Sequence, residues 1–345
     1  MGISLRERIA GCLIGAAYGD ALGAPTENRT REQIYEKWGY VDRFLEPPSD
    51  VFARGNKAGQ VTDDFSMAYV TIQEILKKEG KIDSSVAEKA LITWSENERY
   101  MEQFAGPTSK KFINQLKNGK SEAGGFEPVN DNKRASNGGA MKIGPIVCFG
   151  KGDLEKSLQI AHIICSPTHD NEISMAAAFA VAAAVSSALN GKQLYEIYQA
   201  ALQGAQAGTE IGRKGNPIAG PSLIKRMETA AFIGMTEKSV SSAMDKLRDY
   251  FDCSGMAADS VPVSFGLMIA ARGDVIEAVE AAANIGNDTD TMATIVGAIL
   301  GAYRGREAFP EKLVRFLDSA NGYHLIELAE KIEKTKIFIE VKNDL

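Results

Sequence analysis

Two short acidic clusters carry most of the chemistry this sequence offers. Thr62-Asp63-Asp64 follows a loop containing Gly55 and Gly59, and Asp288-Thr289-Asp290-Thr291 follows Gly286-Asn287. Both supply carboxylates and hydroxyls, hard oxygen ligands that suit Mg²⁺, Mn²⁺ or Ca²⁺ rather than zinc. Each is expected to open a helix. Neighbouring carboxylates cannot share one face of a regular helix, but at a helix start several oxygens can converge. Asp and Thr are also favoured N-caps, and negative charge suits the positive end of a helix dipole. A cap needs one such side chain, and each cluster has carboxylates to spare. Together they fit one dinuclear metal site built from two distant stretches of chain.

Other chemistries find less support. The sequence has no H-E-x-x-H and no G-x-S-x-G. Gly119-Lys120-Ser121 resembles the end of a Walker A loop, but Asn114 stands where its first glycine belongs. There are three histidines. His162 lies in an apolar run and reads as a core or helix-face residue, and His324 reads as surface. His169, in Ser166-Pro167-Thr168-His169-Asp170, sits in a turn before a helix, where helix entry and ligand contact are both open. The loop Ser136-Asn137-Gly138-Gly139-Ala140-Met141 leads small residues into a helix. Backbone N–H groups there suit a phosphate, and a tight turn explains the pattern equally well.

These residues need a scaffold, and the composition describes it. The chain has 345 residues, 44% hydrophobic and 24% charged, which excludes disorder as a whole-chain description. A net charge of -6 argues against nucleic acid as the main partner. Cys12, Cys148, Cys165 and Cys253 are scattered and form no C-x-x-C pair, as expected of reduced thiols in a cytoplasmic protein. The apolar run Ile9–Gly19 is too short to span a bilayer and is cut by Asp20. Ala176–Leu189 reads as a buried core helix, so no membrane partner is expected.

Helix signals dominate. Ser4 with Glu7, Thr30 with Gln33 and Ser85 with Glu88 have capping-box spacing, and Asp153, Thr236 and Asp274 open periodic segments. The periodicity predicts helices near 4–22, 30–38, 62–79, 84–104, 108–118, 139–149, 154–165, 171–190, 193–208, 221–233, 236–250, 259–271, 274–284, 289–304, 310–318 and 324–334. Strand signals are few; only 336–342 alternates as a short terminal strand would. One all-α domain over residues 1–345 is the simplest reading. Gly11, Gly15, Gly19 and Gly23 recur every four residues, as do Gly297, Gly301 and Gly305. Interior helix glycine costs about 1 kcal/mol relative to alanine, so each stripe implies a close approach, by another helix or by a ligand loop.

In order, Gly19-Asp20-Ala21-Leu22-Gly23, Thr62-Asp63-Asp64, the Ser136–Met141 loop, Thr168-His169 and Gly286-Asn287-Asp288-Thr289-Asp290-Thr291 resemble the motifs of ADP-ribosylglycohydrolases. The likeness spans roughly residues 5–305, and the paired acidic motifs are its most specific part. Val41-Asp42-Arg43-Phe44-Leu45 and Gly106-Pro107-Thr108-Ser109-Lys110 resemble a bacterial branch. The resemblance implies an all-α orthogonal bundle with two Mg²⁺ in a cleft, Mn²⁺ being the other candidate. It implies hydrolysis at ribose C1 of an ADP-ribosyl conjugate, on a small molecule or a modified protein. By motif position the metal ligands would be Thr62, Asp63, Asp64, Asp288, Asp290 and Thr291. Glu27 would be the acid or base, with Asp63 as the second candidate. Ser136, Asn137, Gly138 and Gly139 would line the diphosphate, Ala140 and Met141 would also bind substrate, and His169 would contact the nucleoside end. The chain departs from the common pattern at Asn287, where glycine is frequent, and at Lys142, where arginine is. A smaller nucleoside-like riboside and a non-catalytic, crystallin-like binding role are the alternatives.

Overall fold

The computed structural model describes residues 2–119 and 132–340, so Lys120, Ser121 and Lys342 lie outside the described residues. It contains α1 (Leu5–Gly23), α2 (Arg31–Trp38), α3 (Asp63–Lys77), α4 (Ser84–Ser95), α5 (Pro107–Asn118) and α6 (Gly138–Ile146). There follow α7 (Leu154–Cys165), α8 (Glu172–Leu189), α9 (Leu194–Gly215), α10 (Leu223–Thr236) and α11 (Val240–Tyr250). The last are α12 (Ala257–Ala270), α13 (Val275–Ile285), α14 (Thr289–Arg304), α15 (Glu311–Asn321) and α16 (Leu325–Lys334). The all-α expectation holds. The only named strands among the described residues are β1 (Lys81–Ile82) and β2 (Phe338–Ile339), which pair in parallel.

Local chemistry sets the boundaries. Thr30 and Gln33 form the expected reciprocal cap on α2. Ser4 accepts the Glu7 N–H at the start of α1, and Asp153 and Asp274 cap α7 and α13. Two expectations are corrected. Asp83, not Ser85, caps α4 by accepting from Val86 N–H. Thr236 ends α10, its hydroxyl bonded back to the Phe232 carbonyl, and Ser239 opens α11 instead.

The segment 84–104 is also not one helix. The α-helix stops at Ser95, and a π-helical turn, Tyr100–Phe104, follows. Asn97 causes the restart: its side chain accepts from Tyr100 N–H, and the Ala105 N–H reaches back to the Tyr100 carbonyl. A side-chain acceptor of this kind competes with the helical ladder, and π turns recur at functional sites.

Helix α8 is long and apolar enough by composition to cross a membrane, yet 89% of it is buried inside the protein. It packs along α9, and α1 packs along α14. The glycine stripes explain the second pair. A Cβ on Gly11 would lie 2.1 Å from the Gly301 carbonyl oxygen, and one on Gly15 would lie 2.0 Å from that of Gly297. At Gly19 the clash is with the Ala293 carbonyl oxygen at 2.1 Å, and at Gly23 with Asp290 Cα at 2.5 Å. The stripe thus serves helix packing and runs up to the second acidic cluster. A third stripe, Gly204, Gly208 and Gly212 on α9, meets α8 in the same way; its four-residue spacing is legible in the sequence. All four cysteines are free and buried.

Candidate active site

The site begins with a buried carboxylate. Asp20 lies in the apolar α1 at 0% exposure. Its Oδ1 accepts the Thr62 backbone N–H at 2.8 Å and the Thr62 hydroxyl at 2.8 Å. Its Oδ2 accepts the Phe65 N–H at 2.9 Å. Thr62 occupies the N-cap position of α3 but makes no side-chain cap bond. Its hydroxyl also lies 3.3 Å from Asp64 Oδ2. Asp64 is buried, and its Oδ1 has no hydrogen-bond partner. A buried carboxylate oxygen left in this way is costly unless a cation faces it.

The second cluster repeats the pattern. Asp288 is the N-cap residue of α14 and makes no side-chain cap bond. The Asn137 amide donates to Asp288 Oδ2 and to Ser260 Oγ, while Asp288 N–H bonds the Cys253 carbonyl. Thr291 lowers the pKa of both Asp64 and Asp288 against the rise that burial causes, which relates the two clusters. The Thr289 hydroxyl points elsewhere, to the Gly23 carbonyl at 3.0 Å. Neither N-cap residue, Thr62 or Asp288, spends its side chain on capping, although Asp290 Oδ1 accepts the Thr291 N–H at 3.1 Å.

Glu27 follows α1 and stands half-buried. One carboxylate oxygen each from Glu27, Asp288 and Asp290 lie within 4.8 Å of one another, close enough to hold a metal ion. Burial raises Asp20 to about 6 and Asp63 to about 8, with neighbouring carboxylates adding to the rise at Asp63. Burial, followed by like charges, drives Glu27, Asp64 and Asp290 well above the usual carboxylate range. Hard oxygens, mutual repulsion and an unpartnered Asp64 oxygen all fit a divalent cation.

All of these carboxylates except Asp20 line a cleft of about 450 Å³. Of the sequence-predicted residues, Glu27, Thr62, Asp63, Asp64, Asn137, Met141, Asp288, Asp290 and Thr291 line it. Ser136, Gly138, Gly139, Ala140 and His169 do not. His169 is 2% exposed and sits behind the loop. Its Nε2 is 3.0 Å from Ser136 Oγ and its Nδ1 is 2.7 Å from Thr168 Oγ1. A Cβ on Gly138 would meet the His169 ring at 2.8 Å. His169 thus contacts the loop from behind and does not line this cleft. Burial, then the Lys142 charge, lowers His169 to about 3, so the ring is neutral. Lys142 is itself buried, and burial lowers its pKa.

Gly106, Pro107 and Lys110 line the cleft, and Phe52, Glu102, Gln103, Phe104, Ala105 and Gly255 complete it. The segment around Asp42-Arg43 does not contribute lining; Val41 is pinned by Asn284 instead. Asp20 and the Phe52–Phe104 wall are what sequence reasoning missed. A lone aspartate inside an apolar helix was the available signal for Asp20. Nothing local marks Phe52.

A family model described as ADP-ribosylglycohydrolase matches residues 1–340. The uncharacterized protein YegU of Escherichia coli K12 is 31% identical over 332 residues, covering 95% of this chain and 97% of that one. Human ADP-ribosylhydrolase ARH3 is 25% identical, covering 92% of this chain and 90% of its own. ADP-ribosylarginine hydrolase Tri1 of Pseudomonas putida GB-1 is 24% identical, covering 94% and 78%. In fold, a chain titled ADP-ribosylglycohydrolase-related protein complex superposes with a TM-score of 0.68 at 20% identity, covering 96% of this chain and 99% of that one. This chain belongs to the ADP-ribosylglycohydrolase family, whose members are hydrolases of glycosidic bonds.

Proposed function

We propose that this chain, acting as one domain in the cytoplasm, hydrolyses the glycosidic bond at ribose C1 of an ADP-ribosyl conjugate, with ADP-ribosyl-arginine as the first candidate. The observation that carries the reading is the meeting of both acidic motifs and Glu27 on the wall of one cleft, with Asp64 Oδ1 unpartnered. Relatives named for ADP-ribosylhydrolase and ADP-ribosylarginine hydrolase activity support the same class.

Thr62, Asp63, Asp64, Asp288, Asp290 and Thr291 would hold divalent metal. We propose Mg²⁺, in two copies, because one Mg²⁺ usually takes only one or two carboxylates. Metal bound there would fix the ribose hydroxyls and a water and offset developing charge. The protein's own groups supply the rest. Water adds its oxygen to C1 as the bond to the leaving atom breaks. Glu27 is the acid–base group: it takes a proton from the water or gives one to the leaving atom. Burial, then the charges of Asp288 and Asp63, favours its protonated form, which suits donation. Asp63 is the second candidate. Asn137 holds Asp288 in place, and His169 and Ser136 brace the loop that bears Asn137.

One observation favours a smaller riboside as a second reading. Lys110 is the one cationic residue among the described cleft-lining residues, against six carboxylates. A diphosphate would be poorly matched unless metal offsets the acids. Release of ADP-ribose from ADP-ribosyl-arginine, with Mg²⁺ and then with chelator, tests the reading. Metal-dependent release supports it. No release from folded, metal-loaded protein, with cleavage of a simple riboside, would favour the smaller substrate.

A further inference from the structure

A second cavity, of about 400 Å³, shares no lining residue with the acidic cleft. Asn28 and Arg29, directly after Glu27, line it, and so does Asn287, directly before Asp288. Three of its lining residues hold left-handed backbone: Asn28, Cys253 and Asn287, with φ of 59°, 52° and 63°. Such backbone is uncommon outside glycine and concentrates at functional places. The same residues are tied to the acidic site. Asn28 N–H donates to the Asn287 carbonyl at 2.8 Å, and Asn287 N–H donates to the Arg29 carbonyl at 2.8 Å. Asp288 N–H donates to the Cys253 carbonyl at 2.9 Å. The Asn28 amide donates to Glu27 Oε1 at 3.2 Å. The backbone around this cavity therefore also sets Glu27 and Asp288.

Its charge is opposite to that of the cleft. Arg29 and Arg248 line it against a single acid, Asp252. The Arg29 side chain is 10% exposed and lies 5.5 Å from the Trp38 ring centroid, and that of Arg248 is 29% exposed. Their acidic partners stand in solvent: Asp50 is 66% exposed and Glu32 is 70% exposed. Pairs to an exposed carboxylate contribute little to stability, so another anion can take the acid's place at either guanidinium.

We propose that this cavity is a second ligand site, that it takes a small phosphate ester through Arg29 and Arg248, and that it is coupled to the acidic cleft through Asn28 and Asn287. The guanidinium fork matches pairs of phosphate oxygens. The volume lies in the range of small-molecule sites and exceeds what a bare phosphate fills. Asn28, Gln33 and Asn287 add side-chain amides for the hydroxyls of the ester's carbon part. A ligand drawing on Asn28 or Asn287 acts on Glu27 and Asp288 through the bonds above, and such coupling is reciprocal. The site is independent of what the cleft hydrolyses.

Calorimetry with ribose 5-phosphate, inorganic phosphate and ribose tests this, on metal-free protein in phosphate-free buffer. In that state the carboxylates of the cleft repel anions. Saturable binding of ribose 5-phosphate is expected, with inorganic phosphate weaker and ribose weaker still. Arg248→Gln is expected to weaken ester binding about tenfold or more, the reach of a charged hydrogen bond. Glu32→Gln, which frees Arg248 from its surface partner, is expected to tighten it. A merely structural role for the Arg248–Glu32 pair would weaken binding in both variants and would overturn the assignment. Circular dichroism checks that each variant is folded. No saturable binding by folded wild type also overturns the site, as does binding unmoved in both Arg29→Gln and Arg248→Gln. Coupling is read from Mg²⁺ titrations with and without ribose 5-phosphate. The ester is expected to raise Mg²⁺ affinity about fivefold in wild type, a modest allosteric factor, and to leave it unchanged in Arg248→Gln. An equal gain in both proteins would place the ester beside the metal, and no gain in either would leave the two sites unlinked; each result overturns the coupling.

Discussion

The carboxylate of Asp20 accepts both the backbone N–H and the hydroxyl of Thr62, each at 2.8 Å. One buried side chain on α1 thereby sets how α3 begins. Asp20→Asn would leave one oxygen for three donors and turn an amide N–H₂ toward them. Hydrogen bonds to a charged group contribute about 1.5–3 kcal/mol each. We expect Asp20→Asn to lose about 2 kcal/mol in urea unfolding with Mg²⁺ present, and to bind Mg²⁺ more weakly. Unchanged Mg²⁺ affinity would separate Asp20 from the metal site.

Asp64 should behave in the opposite sense without metal. Its buried Oδ1 has no partner, and its neighbours are Asp20, Asp63 and Asp288. Asp64→Asn removes a repelled charge. In chelator the variant is expected to melt a few degrees above wild type. On adding Mg²⁺, wild type should gain stability and the variant should not. A variant that melts lower in chelator and gains normally from Mg²⁺ would remove Asp64 from the ligand set.

The raised carboxylates also fix a pH trend. A carboxyl group with a folded-state pKa above its unfolded value favours the fold while protonated, and that contribution is lost as pH rises through the folded value. Asp20 sits at about 6 and Asp63 at about 8, against ordinary values of 3.8. His169, lowered to about 3, works the other way: its neutral form favours the fold above its ordinary value of 6.5, and this is lost as pH falls. Several acids outweigh one imidazole. Chelated protein should therefore lose stability between about pH 4 and 8, and stabilisation by Mg²⁺ should grow over the same range. Thermal melts at each pH, with and without metal, check both trends.

Asp288→Ala and Glu27→Gln divide metal binding from proton transfer. Asp288→Ala should abolish metal-dependent turnover while the helical circular dichroism is kept. Calorimetry showing unaltered Mg²⁺ binding would refute its role as a ligand. Glu27→Gln should lower kcat by roughly 10²–10⁴, the usual range for a general acid–base, while retaining stabilisation by Mg²⁺. Its oxygens lie near those of Asp288 and Asp290, so loss of Mg²⁺ stabilisation as well would make Glu27 a ligand rather than an acid.

Gly297 faces the tightest of these helix contacts. A Cβ there would lie 1.9 Å from the Gly15 carbonyl oxygen, and neither backbone can swing aside as a side chain would. Gly297→Ala should cost about 3 kcal/mol or more and lower Tm by several degrees. Gly2→Ala, which meets nothing within 4 Å, should leave Tm unchanged.

Much of this was legible because helix ends announce themselves. Thr30, Asp153 and Asp274 cap where their types and spacing indicate, and the buried helix at Glu172–Leu189 reads directly from its apolar run. Thr236 misled because a threonine hydroxyl can bond backward to the Phe232 carbonyl as easily as it caps forward. The break after Ser95 was hidden because periodicity continues through it. In the site, both acidic clusters could be read, since spare carboxylates at two helix starts exceed what capping needs. Asp20, the retreat of His169 behind Gly138 and the arrival of Phe52 all depend on which segments meet, and local spacing does not contain that information.

The meshing of α1 with α14 has a mechanical consequence. Gly11, Gly15, Gly19 and Gly23 meet Gly301, Gly297, Ala293 and Asp290 in antiparallel order. Teeth four residues apart repeat every ~6 Å along a helix that rises 1.5 Å per residue. Such a rack cannot slide gradually: intermediate settings drive side chains into backbone, and the next free notch is a full turn away. The height of Asp20 above Asp290 is thus indexed rather than adjustable. Substitutions around the rim can reshape what enters the cleft while the spacing of its acids stays locked.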